Sequence, residues 1–411
     1  MGPPLFKSFW QAGYECSTHV LKTGRRLDLV ASTGHDAFAE TDYGMLRKAG
    51  ICTVREGLRW HLIEQTRGKY DFASAMPMVK AAKLHGIEIV WDLFHFGWPG
   101  FLDIFQQEWV ESFVGLAAAF GRFLREEMPG PAFVAPVNEI SFFAWGGGDE
   151  AFLNPFATGR GAELKRQMVR AVVQASDALH AELPGVRLVA PEPVIHIAGD
   201  PKRPEDVDEA AQYTSSMFEA WDMISGRVQP ELGGSESYLD IVGINYYDRN
   251  QWWNHGRTIW RNEPEYRPFR DILAEVYARY QRPMFISETG TEDADRPFWL
   301  AYIAQETRAA MQAGVPMEGI CLYPILNHPG WVDDRHCFNG LWDYPGPHGE
   351  REIYKPLADE LERQQKMHKQ NYENPRSNRC NLLFTPEMEF RVSEATAPDE
   401  PLRPGPPGVL C

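Results

Sequence analysis

Short apolar runs punctuate the chain at residues 9–13, 51–58, 87–94, 132–137, 186–190, 239–244, 283–287 and 318–323, about 35 to 55 residues apart. Longer stretches with helical patterning lie between them. Runs this short and this continuously apolar fit strands buried on both faces. Strict alternation with helices implies parallel strands joined by right-handed crossovers. Eight such units are what a closed (β/α)8 barrel requires. Two predicted helices have readable ends: residues 42–50 and 78–86 each finish on a glycine, Gly50 and Gly86, just before a strand. Glycine there supplies the left-handed cap that turns the chain back into the sheet. An open doubly wound sheet is the rival architecture, and its first strand would feed a glycine-rich phosphate turn. Here the first strand leads into Gly13-Tyr-Glu-Cys-Ser-Thr-His19, which is no such turn.

The texture changes after residue 365. Residues 366–411 hold no Trp or Ile and close on Pro401-Leu-Arg-Pro-Gly-Pro-Pro407, a proline density that sustains neither helix nor central strand. The expected organisation is a single-domain α/β TIM barrel over residues 1–365 with extended βα loops, followed by an irregular, mobile tail over 366–411. The balance of 57 acidic against 41 basic residues, a formal charge of −16, sets aside nucleic acid and anionic membranes as partners. No stretch approaches the roughly 20 apolar residues of a membrane span. The first residues show no basic segment leading into an apolar one, and the six cysteines stand singly with no Cys-x-x-Cys. Together these predict reduced thiols and a cytoplasmic protein.

In such a barrel the active site gathers at the C-terminal ends of the strands. The fourth run ends Ala135-Pro-Val-Asn138-Glu139 and the seventh Phe285-Ile-Ser-Glu288-Thr-Gly290. Each places a carboxylate where an apolar strand breaks, and strands four and seven face one another across the barrel mouth. Paired carboxylates flanking a bond are the requirement for glycoside hydrolysis. One must hold a proton for the leaving oxygen, and the other must be ionised to attack the sugar carbon. Their surroundings must therefore push their pKa values apart.

These two segments resemble the signature of the retaining glycosidases of clan A, and the chain is most similar to glycoside hydrolase family 1, the β-glucosidase and β-galactosidase family. Arg55-Glu-Gly-Leu-Arg-Trp60 is similar to that family's strand-two motif, Leu93-Phe-His95-Phe-Gly-Trp-Pro99 to its strand-three motif, and Asp240-Ile-Val-Gly-Ile-Asn245-Tyr-Tyr247 to its strand-six motif. The likeness runs in order from about residue 5 to 360 and leaves the tail out. It implies Glu139 as general acid/base and Glu288 as nucleophile, with Asn138 on the sugar 2-hydroxyl. Arg55 and Tyr247 would keep Glu288 ionised and oriented, since an opposite charge and a hydrogen bond both favour a carboxylate. His95, Asn245 and Trp331 would bind substrate. The resemblance implies no cofactor. The 12 histidines are dispersed with no His-x-His, so no metal is expected, and the nearest cluster, Asp333-Asp334 beside His336, is not read as a site.

Two departures bear on specificity. The family places a Gln near the end of strand one, where this chain reads Tyr14-Glu-Cys-Ser-Thr-His19, with Glu15 or His19 as replacement; Glu15 is taken as substrate-binding. After strand eight the family has Glu beside Trp, where this chain reads Asn327-His-Pro-Gly330-Trp331. The choice of glycone is therefore not carried over. Aromatic residues crowd the loops after strands four and six, and their flat faces suit the C–H faces of sugar rings. Trp145 and Trp253 are expected to reach substrate, and Gly146, Gly147 and Gly148 form either a hinge or a tight surface excursion. The expected function is a retaining exo-β-glycosidase acting on an oligosaccharide or small β-glycoside. A transglycosylase on the same machinery, or a non-catalytic carbohydrate-binding barrel, is the alternative.

Overall fold

The computed structural model describes residues 4–370 of the 411. Its strands are β1 (Trp10–Gly13), β2 (Thr53–Gly57), β3 (Glu88–Phe94), β4 (Phe133–Val137), β5 (Arg187–Pro193), β6 (Ile241–Asn245), β7 (Met284–Thr289) and β8 (Met317–Leu322). Every predicted run became a strand. Each strand pairs in parallel with its sequence neighbours, and β8 closes on β1 through Trp10↔Ile320, Gln11↔Cys321 and Ala12↔Leu322. The chain is a closed (β/α)8 barrel.

Alternation along each strand divides the core in two. Inward positions Val90, Phe133, Ala135, Val189, Ile241 and Phe285 fill the lumen. Phe6 rises into them from below, its ring centroid 4.8 Å from that of Phe133 and 5.0 Å from that of Phe285. Outward positions such as Ile89, Trp91, Val134, Leu188, Val242 and Ile286 pack against the surrounding helices. Those helices are α1 (His35–Lys48), α2 (Met76–His85), α3 (Gln107–Glu127), α4 (Gly161–Glu182), α5 (Pro204–Ser215), α6 (Phe269–Tyr280), α7 (Arg296–Gln312) and α8 (Lys355–His368), with shorter turns between. Gly50 and Gly86 take the left-handed conformation, at φ 74° and 66°, as the helix ends predicted.

Helix α8 runs past residue 365, and the His368 ring stacks on Phe9 at 3.9 Å. Packed chain thus extends beyond the boundary drawn from composition; the rest of the expected tail, residues 371–411, lies outside the described residues. Among the described residues no helix is long and apolar enough to cross a membrane. Cys16, Cys52 and Cys321 are free thiols. Cys337 is disulfide-bonded, which departs from the expectation of six reduced cysteines.

Candidate active site

Above the filled lumen the barrel mouth opens into a cavity of about 690 Å³, with both Glu139 and Glu288 in its wall. Its organising residue is Arg55, an inward position of β2 that is 1% exposed. Arg55 Nη1 donates to Glu288 Oε1 and to the Ser287 carbonyl, each at 2.9 Å. Nη2 donates to Asp92 Oδ2 at 2.6 Å and Asn138 Oδ1 at 3.0 Å, while Nε reaches Asp92 Oδ1 at 3.3 Å. One guanidinium therefore ties β2 to β3, β4 and β7. A buried cation is tolerable only with such partners, and the planar fork matches carboxylates two atoms at a time.

Glu288 reaches the cavity because β7 is irregular. Ile244 pairs with Ile286, yet Asn245, the next residue of β6, pairs with Glu288. The pairing with β8 shifts as well, from Ile286↔Ile320 to Thr289↔Leu322. The extra residue is a bulge at Ser287 and Glu288, a device that re-aims side chains beside active sites. It also sets Asn245: the Ser287 hydroxyl donates to Asn245 Oδ1 at 2.6 Å, so the amide nitrogen must face the other way. There Asn245 Nδ2 donates to Glu139 Oε1 at 2.9 Å and to Asn138 Oδ1 at 3.3 Å.

Glu139 follows β4 and adopts the left-handed conformation at φ 49°. For a residue with a Cβ this costs on the order of 1–2 kcal/mol, and it is held from both sides. Its N–H donates to the Pro191 carbonyl at 3.0 Å, and its carbonyl accepts from Phe143 N at 2.9 Å. Glu192 secures the turn that follows, accepting from Ile140 N at 2.5 Å and Ser141 N at 3.0 Å. Strain of this kind clusters where geometry serves function.

The two carboxylates have opposite surroundings. Glu288 meets the Arg55 cation and accepts from the Tyr247 hydroxyl at 2.8 Å. Among the described residues the Glu139 carboxylate accepts only from the Asn245 amide, with the charge of His95 acting on it more weakly. Burial and the neighbouring charge of Glu288 push the Glu139 pKa up to about 8. Burial raises Glu288 too, but the Arg55 charge opposes it. A proton shared by the pair at neutral pH therefore rests on Glu139, with the charge on Glu288.

The other residues singled out in the sequence sort as follows. Glu15, His95, Trp145, Tyr247 and Trp331 line the cavity, and His95 Nδ1 lies 3.1 Å from Asp92 Oδ2. Trp253 does not line it; Trp252 does. The two sit on a short strand, Gln251–Trp253, paired with His196–Ala198, where neighbouring side chains point to opposite faces. Of the three glycines Gly148 answers a packing need: a Cβ there would stand 2.6 Å from Gly161 Cα at the start of α4, whereas one on Gly146 would meet nothing closer than 3.4 Å. Sequence reasoning missed Asp92, Glu192, Tyr323, His328 and Asn339. Asp92 had a usable signal, a lone acid inside an apolar strand. Tyr323, His328 and Asn339 sit in the irregular stretch after β8 and had none.

No protein-family model matches the chain, and no curated protein does. Solved structures do. The β-glucosidase of Thermotoga maritima in complex with glucoimidazole superimposes with a TM-score of 0.72 at 15% identity, over 88% of this chain and 97% of that one. The same organism's family 1 β-glucosidase gives 0.68 at 14% identity over 88% and 98%. The AHE enzyme from Alicyclobacillus herbarius gives 0.69 at 18% identity over 82% and 88%. At these identities the likeness is one of fold: the chain has the barrel architecture of the family 1 β-glucosidases.

Proposed function

We propose that the protein is a retaining exo-β-glycosidase. The observation that carries this reading is the asymmetry of the two buried carboxylates: Glu288 clasped by Arg55 and Tyr247, Glu139 carrying a pKa of about 8 beside it. Glu288 attacks the anomeric carbon while Glu139 gives its proton to the departing glycosidic oxygen. The C–O bond to the aglycone breaks as the bond to Glu288 forms. Glu139, now ionised, takes a proton from water, and the hydroxide displaces Glu288 to release the sugar. In this reading Asn138, held by Arg55, serves the 2-hydroxyl, and His95 and Trp331, which line the cavity, serve the rest of the ring; Asn245, expected to bind substrate, is absent from the cavity wall and spends its amide on Glu139, Asn138 and Ser287. That the Thermotoga β-glucosidase of the same fold binds glucoimidazole and castanospermine supports a sugar as the ligand here.

The test is release of 4-nitrophenol from a panel of β-glycosides. Glu288→Ala is expected to lose about 10⁴-fold or more in kcat, with azide restoring part of it as the α-glycosyl azide. Full activity in that variant would overturn the reading. One feature favours transglycosylation as a second outcome: Phe142, Trp145, Tyr213 and Trp252 wall the same cavity and offer an acceptor aromatic faces to stack on. Product analysis with added alcohol acceptor separates the two.

A further inference from the structure

Glu192 is 1% exposed and, unlike Pro193 beside it on β5, does not line the cavity. Adjacent strand residues point to opposite faces, so Glu192 turns away from any ligand and lies beneath the turn Ile140–Phe143. Its two oxygens are divided between successive backbone amides: Oε1 accepts from Ile140 N at 2.5 Å and Oε2 from Ser141 N at 3.0 Å. The carbonyl of the preceding residue, Pro191, accepts from Glu139 N at 3.0 Å. Three consecutive N–H groups, of residues 139 to 141, are thus fastened to two consecutive residues of β5. Glu139 heads that run at φ 49°, a conformation that persists only where the surroundings hold it. A neutral amide at position 192 could accept from one of the two N–H groups but would turn a donor toward the other.

Glu192 also reaches Glu139 through space. Around the Glu139 carboxyl, burial, Glu288 of β7 and Glu192 of β5 raise the pKa, while the Asn245 amide and the charge of His95, after β3, oppose them. Tyr247 stays neutral beside the pair, its hydroxyl pushed up by burial and by the charge of Glu288. Glu192 has its own balance. Burial lifts it to about 7, against the Ser141 and Ile140 amides and the charge of Lys165 on α4, whose Nζ is bonded to Glu219 Oε2 at 2.5 Å. As pH rises Glu192 therefore ionises before Glu139, and a second negative charge then stands beside the acid.

We infer that Glu192 is a positioning residue for the acid: it fixes the turn that carries Glu139, and its charge keeps the proton on Glu139 as the medium turns alkaline. This rests on the glycosidase reading. In the first displacement Glu192 widens the pH range over which Glu139 can protonate the leaving oxygen. In the second, Glu288 is esterified and has lost its charge. Glu192, out of reach of the sugar, keeps its own and favours the uptake of a proton from water by Glu139.

The experiment records pH profiles of kcat/KM on a 4-nitrophenyl and a methyl β-glycoside for wild type, Glu192→Gln and Glu192→Asp. Glu192→Gln should bring the alkaline limb down by about one pH unit. Above neutral pH it should lose about tenfold on the methyl glycoside, whose leaving group needs the acid, and far less on the activated one. Glu192→Asp keeps the charge but withdraws the oxygens from the turn, so its limb should stay in place while the methyl glycoside alone suffers. An unmoved limb in Glu192→Gln overturns the inference. So does an equal loss on both leaving groups, the mark of a merely structural role. Carboxyl-labelled NMR of wild type, with Glu139 assigned from Glu139→Gln, reads the coupling without turnover or a folded Glu192 variant. The Glu139 signal should titrate near pH 8 and shift first near pH 7 as Glu192 ionises. A Glu139 signal blind to that first step sinks this inference alone; the expected titration in a protein that hydrolyses no glycoside sinks the glycosidase reading.

Discussion

Arg55 and Glu56 are consecutive residues of β2, yet they anchor two different charge clusters on opposite faces of the sheet. Glu56 points to the helix layer. There its Oε1 meets His35 Nε2 at 2.8 Å and the Tyr43 hydroxyl at 2.6 Å, while His35 Nδ1 meets Asp42 Oδ2 at 2.7 Å. Arg351 clasps Asp42 through Nε at 2.6 Å and Nη2 at 2.9 Å. Burial alone would discharge His35, but the charge of Glu56 and the bond to Asp42 lift its pKa to about 9. Two cations thus face two carboxylates. The inner cluster is arranged differently: Arg55 serves Asp92 and Glu288 together, and no cation bonds Glu139 among the described residues, although the charge of His95 acts on both carboxylates. A surplus carboxylate that must keep its proton is a poor way to hold a barrel together and a good way to store an acid. The outer cluster fastens α1 and the strand Arg351–Ile353 to β2; the inner one, in the proposed reading, is arranged for reaction.

The sharpest way to break this contrast is Glu139→Gln. With poor leaving groups kcat/KM should fall about 10²- to 10⁴-fold, with a much smaller loss for activated ones. The alkaline limb of the pH profile, expected near pH 8 as Glu139 loses its proton, should disappear. A limb that persists in the variant would assign the acid elsewhere. Next in size is Arg351→Met, which strands Asp42 and should lower unfolding stability by about 3–5 kcal/mol in denaturant titrations. Turnover per folded molecule should not change, and a parallel loss of turnover would mean that the two clusters are coupled. The smallest effect has the opposite sign. Because the Glu139 pKa rises from 4.5 to about 8 on folding, its contribution to stability is full below pH 4.5 and is lost as pH climbs through 8. Glu139→Gln should therefore be more stable than wild type by about 1 kcal/mol at pH 8.5 and no more stable at pH 4. Equal melting shifts at both pH values would remove the idea of a frustrated carboxyl.

All eight strands were legible because a strand covered on both faces must be apolar, and such runs stand out between helices. Their ends were less legible for a related reason. β5, β6 and β7 each continue past the apolar run, to Pro193, Asn245 and Thr289, since lumen-facing polar groups bond one another there. The residues that mattered most, Asn245 and Glu288, lie in those continuations. The carboxylate pair and its Arg55 were readable from motif and position. The bulge that aims Glu288 was not, because register is a property of two strands and a sequence shows one at a time. Trp252 and Trp253 pose the same problem on a smaller scale: which of two adjacent rings faces the cavity depends on a pairing with His196–Ala198 more than fifty residues earlier.

Phe6 has a final consequence. With its ring wedged between Phe133 and Phe285, the barrel is stoppered at its foot, so the chamber is a cul-de-sac. Whatever comes in must back out by the same doorway. Nothing can thread along the barrel axis, and in the proposed reading each spent product obstructs the next arrival until it departs.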